Sequence, residues 1–327
     1  MSFSTLPVNE VKQLIEQADA ITILTHLNPD PDTLGTGLGI YALLKAQSSK
    51  PVEIVNASKD LPLHLDFLPY FGKIKRKMDY ENSLVIGCDC GNVARLGFDL
   101  SRRKIINIDH HASNTMYGTV NAVIPEYASA SQVAYRLFEQ IYEITKESAV
   151  CFYTALLSDT RYFTTSSVNR EVFRVAGELV DKGIDPAQIA TNFTQRRSLA
   201  SLRILERALH SLHLYKEGKV ALLRITPEDI AATGARMPDM DGIVDYARSL
   251  AIVRIAVLII ELEDGTTRVS VRSKGEDVSQ VAAYFGGGGH KAAAGFTLRQ
   301  TQTQEIIDTI LEQITILGLI DGKKTEG

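Results

Sequence analysis

ITILTHLNPDPDTLGTGLGIYALLKA, residues 21–46, is the stretch that decides the class of fold. A short apolar run at 21–24 leads into a polar, proline-bearing segment, HLNPDPD at 26–32, and then into a helical pattern over 34–46. A continuous apolar strand followed by a turn and a helix is the repeating unit of a parallel sheet covered on both faces. The unit recurs along the first half. Residues 9–19 read as a helix, 52–56, 84–88 and 105–108 as strands, and 130–144 and 149–158 as helices. The expected architecture is therefore α/β, with an N-terminal doubly wound parallel sheet. Ligands of such sheets bind beyond the carboxyl ends of the strands. Six residues lie at or just beyond the ends of these apolar runs: His26, Asp30, Asp32, Asp89, His110 and Asp159. Four carboxylates and two imidazoles are a hard-to-borderline donor set suited to two divalent metals.

The spacing within the set adds detail. Asp30 and Asp32 are two apart, and in an extended segment both carboxylates would point to one side. Pro29 and Pro31 stiffen that segment, and Gly35, Gly37 and Gly39 allow a close backbone approach behind it. Asp109, His110 and His111 follow a buried strand, and three ionisable groups there are costly unless paired or bound to metal. A metal-binding histidine is often oriented by a carboxylate on its other ring nitrogen, a role open to Asp109.

The second half reads differently. GKVALLRIT at 218–226 is a strand and DMDGIVDYARSL at 239–250 a helix. IVRIAVLIIEL and TTRVSVRS are strands joined across Glu263, Asp264 and Gly265, a hairpin signal. Asp277 could cap a helix through DVSQVAAYF, which the glycines at 286–289 then break. This pattern predicts a smaller C-terminal α/β domain with a mixed sheet. The expected division is 1–185, a linker helix at 186–212, and 213–320. The tail DGKKTEG is expected to fray.

Composition narrows the function classes. The chain has 327 residues, is 45% hydrophobic and 23% charged, and carries a formal charge of −4. No apolar stretch is long enough to span a bilayer, and the first residues lack the pattern of a signal peptide. Three cysteines, Cys88, Cys90 and Cys151, form no disulfide framework, so a reduced cytoplasmic protein is expected. The acidic balance argues against binding of long nucleic acid. Two bound divalent cations would neutralise it.

Four short motifs carry a resemblance. HLNPDPDTLGTG at 26–37, CDCGN at 88–92, IDHHAS at 108–113 and LLSDTRYF at 156–163 resemble, in order, the motifs of the DHH phosphoesterase superfamily. SVRSK, DVSQVAAYF and GGGGHKAAAG resemble the C-terminal DHH-associated domain of its oligoribonuclease-like branch. The resemblance implies two divalent metals, with manganese first and magnesium or cobalt as alternatives. His26, Asp30 and Asp89 would hold one metal. Asp32, Asp89, His110 and Asp159 would hold the other, with Asp89 bridging. His111 would be catalytic, facing the substrate phosphate. Arg272, Ser273, Gly287, Gly288, Gly289 and His290 would bind substrate. Two departures are Pro31 and Arg161, where many members have glycine. The implied activity is hydrolysis of short oligoribonucleotides, extending to the 3′-phosphate of 3′-phosphoadenosine 5′-phosphate (PAP). A cyclic dinucleotide phosphodiesterase is the alternative, and a nucleotide-binding sensor is a third. Short RNA or a dinucleotide is the implied partner, with a homodimer and no membrane association expected.

Overall fold

In a computed structural model that describes residues 6–299 and 302–320, the chain forms two units, Met1–Arg196 and Arg197–Gly327. The first contains α1 (Val8–Gln17), β1 (Ile21–Thr25), α2 (Pro31–Gln47), β2 (Val52–Val55), β3 (Ile74–Lys75), β4 (Leu84–Cys88), β5 (Ile105–Asp109) and β6 (Val120–Val123). Four helices complete it: α3 (Ala130–Phe138), α4 (Lys146–Asp159), α5 (Arg170–Val180) and α6 (Pro186–Thr194). Its sheet is wholly parallel in the order β3-β2-β1-β4-β5-β6. β1, β2, β4 and β5 are buried at every position, as strands covered on both faces must be. The sheet grows in one direction from β1 through β2 and in the other through β4. That reversal makes the carboxyl ends of β1 and β4 the topological switch point, where doubly wound sheets open a crevice.

Two strands of this sheet lie outside the sequence reading. β3 is two residues long, and β6 is four residues interrupted by Asn121 and only partly buried, so neither gives a long apolar run. α3 stops at Phe138, well short of the expected 144. α2 begins at Pro31, three residues before the expected start. Proline suits that first helical position, because its missing N–H would have no partner there. The glycines of α2 serve helix packing. A Cβ at Gly35 would sit 2.6 Å from the Cys151 carbonyl oxygen and 2.8 Å from the Ala155 Cβ, and one at Gly39 would sit 2.4 Å from the Phe152 ring. Gly35 therefore faces Ala155 and Gly39 faces Phe152, so α2 and α4 run antiparallel in close contact. Continued by one turn, that line places the start of α2 beside the end of α4, Asp32 beside Asp159.

The second unit contains α7 (Leu199–His210), β7 (His213–Tyr215), β8 (Val220–Ile225), α8 (Pro227–Thr233), α9 (Ile243–Arg248), β9 (Ile255–Glu261) and β10 (Thr266–Ser273). It continues with α10 (Ser279–Tyr284), β11 (Gly288–His290), β12 (Ala293–Arg299) and α11 (Thr303–Ile316). Its sheet is mixed, in the order β11-β12-β10-β9-β8-β7, with β8 and β9 parallel and the other pairs antiparallel. Along β9, Ile255, Val257 and Ile259 enter one core with α11, while Ala256, Leu258 and Ile260 enter another with α7 and α9. The β9–β10 hairpin turns at Gly265, whose φ is +76°. Residues 186–212 are two helices, α6 and α7, separated at 195–198; α7 buries Ile204, Leu205 and Ala208. The tail at 321–327 lies outside the described residues. Among the described residues, no helix is long and apolar enough to cross a membrane.

Candidate metal centre

His26 follows β1 and Asp89 follows β4, one on each side of the switch point. Asp30 is the N-cap of α2, accepting the Thr33 N–H at 3.0 Å, and Asp32 lies in its first turn. This corrects the extended-segment expectation. The two aspartates sit on a helix start and reach different histidines. His26 Nε2 is 3.6 Å from Asp30 Oδ2 and 3.5 Å from Asp89 Oδ2. His110 Nε2 is 3.8 Å from Asp32 Oδ2, 3.6 Å from Asp89 Oδ1 and 3.6 Å from Asp159 Oδ2. The sets His26, Asp30, Asp89 and Asp32, His110, Asp159 each place one donor atom per residue within 4.8 Å of the others. Asp89 stands between them, one carboxylate oxygen toward each.

The histidines are aimed by their other nitrogens. A carbonyl can only accept, so the His26 Nδ1–H donates to the Leu27 carbonyl at 2.9 Å and the His110 Nδ1–H to that of Tyr127 at 3.3 Å. Both tautomers turn Nε2 into the cluster. His111 differs, since its Nδ1–H donates to Asp109 Oδ1 at 2.6 Å. Asp109 thus orients His111 rather than a cluster histidine. The same oxygen accepts the His110 backbone N–H at 2.8 Å, and Asn114 Nδ2 donates to Oδ2 at 2.5 Å.

Several supporting groups escaped the sequence reading. The backbone N–H groups of Ala130 and Ser131, at the start of α3, donate to Asp32 at 2.8 and 3.3 Å. The Thr33 hydroxyl donates to the Cys88 carbonyl at 2.8 Å, and Asn56 Nδ2 to the His26 carbonyl at 2.9 Å. Together they tie β1, β2, β4 and α2 at their common end. Thr33 had a visible signal, three residues after an N-cap aspartate. Asn56 and Ala130 had none, because their role lies in backbone geometry and long-range placement.

Charge is crowded in the cluster. Burial, and then the Asp32 carboxylate, push Asp89 and Asp159 well above the usual carboxylate range. Burial raises Asp32 too. Burial would depress His26, but Asp30 and Asp89 outweigh it and raise it to about 10. Burial opposes ionisation of Asp109, yet its hydrogen bond to His111 holds it below the usual range. Cys88 and Cys90 are buried thiols, the latter pushed by burial to about 11, which suits space-filling residues.

One buried atom tests whether these donors suit a metal. Among the described residues, Asp89 Oδ1 has no hydrogen-bond partner, a costly condition for an oxygen of a carboxylate residue that is only 3% exposed. Asp89 also has φ of +54°, a left-handed backbone that aspartate tolerates better than most residues. An orphaned oxygen between two histidines, ringed by carboxylates that burial strains toward neutrality, fits divalent cations in donor type and in charge.

The departures at Pro31 and Arg161 have local explanations. Pro31 opens α2. Arg161 has φ of +46°, which accounts for glycine being the usual residue in the resembling motif.

In the second unit, Arg272 pairs with Ala293 across β10 and β12, and His290 pairs with Ala293 across β11 and β12. Directly paired residues share a face, so Arg272 and His290 flank a small alanine, about 10 Å apart by two strand spacings. Ser273 faces the other way. It is buried at 1% exposure and its hydroxyl donates to the Glu276 carbonyl at 2.6 Å. A Cβ at Gly287 would lie 2.3 Å from the Gly295 carbonyl oxygen, and one at Gly289 2.5 Å from that of Ala293, whereas one at Gly288 would meet nothing within 4 Å. Folding demands glycine at Gly287 and Gly289 and leaves Gly288 open.

The model of the DHH family N-terminal domain matches residues 20–156, and that of the DHHA1 domain matches residues 217–315. A bifunctional oligoribonuclease and PAP phosphatase NrnA of Thermus thermophilus is 30% identical, over 94% of this chain and 92% of its own. The protein of that name from Bacillus subtilis is 25% identical over 88% and 92%. A crystal structure of an exopolyphosphatase-related protein from Bacteroides fragilis superposes with a TM-score of 0.87 at 26% identity, covering 96% of this chain and 97% of that one.

Proposed function

Because the chain belongs to the DHH family, and is therefore a metal-dependent phosphoester hydrolase, we propose that it degrades short oligoribonucleotides, dinucleotides first among them. The relatives named as oligoribonucleases with PAP phosphatase activity match nearly its whole length, which supports the same substrate class here and adds PAP as a second substrate. The observation that carries the reading is the orphaned Asp89 Oδ1 at the centre of an intact set of six donors.

His26, Asp30 and Asp89 would hold one divalent ion, and Asp32, Asp89, His110 and Asp159 a second, with manganese the proposed metal. Bound there, the ions would supply Lewis-acid charge and activate water for attack on phosphorus. The chain's own groups do the remaining work. His111 gives its Nδ1–H to Asp109 at 2.6 Å, which leaves Nε2 for the substrate; in the protonated form that nitrogen would donate to a nonbridging oxygen and pass its proton to the leaving oxygen. Arg272 offers a planar fork for a phosphate. His290 adds a second donor on the same sheet face, and Gly288 leaves room for the ligand.

The test is turnover with manganese on linear diadenylate, longer oligoribonucleotides, cyclic di-adenylate and PAP. Preferred hydrolysis of the linear dinucleotide is expected. Preference for the cyclic compound would replace this reading with a cyclic dinucleotide phosphodiesterase, and binding without turnover would replace it with a sensor.

A further inference from the structure

Beyond Asp159 the backbone turns left-handed for three successive residues, Arg161, Tyr162 and Phe163, with φ of 46°, 59° and 63°. None of them is a residue type that favours this region, and such strain persists only where surrounding structure fixes it. Here it is fixed. The Arg161 N–H donates to the Ser158 carbonyl at 2.9 Å, that of Tyr162 to Leu157 at 2.8 Å and that of Thr164 to Thr160 at 2.8 Å. The Thr164 hydroxyl donates to the Arg161 carbonyl at 2.6 Å. Phe163 anchors the turn, its ring 5.4 Å from that of Phe173 and 6.4 Å from that of Tyr153.

Tyr162 is sent the other way. It is 45% exposed. Its ring lies edge-on to Phe193 at 6.2 Å, and Phe193 in turn lies edge-on to Phe67 at 6.1 Å. Consecutive Cα atoms are about 3.8 Å apart, so the Tyr162 Cα lies within about 11 Å of the Asp159 Cα. Arg161 adds a cation whose charge is felt at the Asp159 carboxylate. An aromatic face and a cation beside a phosphoryl site is the pairing by which single-stranded nucleic acid is held, base on ring and backbone on charge.

We infer that Tyr162 is the stacking platform for a nucleobase of the substrate, held beside the metal centre by the strained turn. The inference rests on the oligoribonuclease reading. With manganese-loaded enzyme and linear diadenylate, Tyr162→Ala raises KM about 10-fold and changes kcat less than about 2-fold, the scale of one lost base stack. Tyr162→Phe restores the wild-type KM. Two further substrates carry an abasic ribose at one or the other position. On one of them the wild type shows the raised KM and Tyr162→Ala adds nothing to it. An unchanged KM for Tyr162→Ala on diadenylate overturns the platform, as does an equal rise on diadenylate and both abasic forms, which marks a purely structural role. A wild type that hydrolyses no linear dinucleotide overturns the function reading itself, and the platform with it.

Discussion

The acidic cluster of the first unit and the glycine hairpin of the second solve opposite problems. The cluster is buried at Asp32, Asp89, His26 and Asp109, and two of its donors are aimed from distant segments, Asp32 by the start of α3 and His110 by the Tyr127 carbonyl. The hairpin strand β11 is exposed at all three residues and sits at a sheet edge. Its shape comes from missing side chains rather than from added contacts. A site that must hold charge against burial needs many restraints. A hairpin with the proposed task of admitting a ligand needs vacancy.

This contrast predicts that damage to the cluster lowers kcat, whereas damage to the hairpin raises KM. The largest effect is expected at Asp89. Asp89→Asn should reduce turnover by about 1000-fold or more, since it removes the charge shared by both donor sets. The same change should raise the melting temperature of metal-free protein, because it removes a buried anion that burial and Asp32 already disfavour. An active Asp89→Asn enzyme would break the comparison outright. Next comes the Asp109–His111 pair. Asp109→Asn should lower kcat about 100-fold while manganese content, read by elemental analysis, stays at the wild-type level. Loss of metal in that variant would place Asp109 in the metal shell instead.

Within the hairpin, neighbouring glycines should separate. Gly287→Ala should cost about 1–3 kcal/mol in denaturant unfolding, because its Cβ meets backbone and Phe296. Gly288→Ala should leave stability within about 0.5 kcal/mol and raise KM severalfold. Equal losses of stability would show that the hairpin is all scaffold. The smallest effect concerns pH. Asp32, Asp89 and Asp159 have raised pKa values, so the stability they permit is full below the ordinary carboxylate value and falls as pH rises through the raised ones. Cations relieve that repulsion. The rise in melting temperature on adding manganese should therefore grow from pH 5 to pH 8, and a flat profile would remove the electrostatic argument for the site.

The sequence was more legible in the first unit than in the second, for a physical reason. β1, β4 and β5 are buried on both faces, which forces unbroken apolar runs, and the polar residues that end them stand out. β3 and β6 are short or half exposed and left no such trace. His26, Asp89 and His110 were found because chemistry dictates their type. Ala130, Ser131 and Leu27 were not, since they act through backbone N–H and carbonyl groups that any residue supplies. The glycine run at 286–289 was visible as a unit, but it takes the Cβ clearances at Gly287 and Gly289 and the φ of +74° at Gly286 to separate the glycines the fold requires from Gly288, which it does not.

The left-handed backbone at Asp89 has a consequence for descent. Aspartate and asparagine are the side chains that best accept that conformation after glycine, so the position chemistry demands is also one where a silent neighbour fits. A single-base change in the codon would leave the fold intact, relieve its most crowded charge and end hydrolysis. In this architecture, a lineage of non-catalytic nucleotide-binding proteins stands one mutational step from the enzyme.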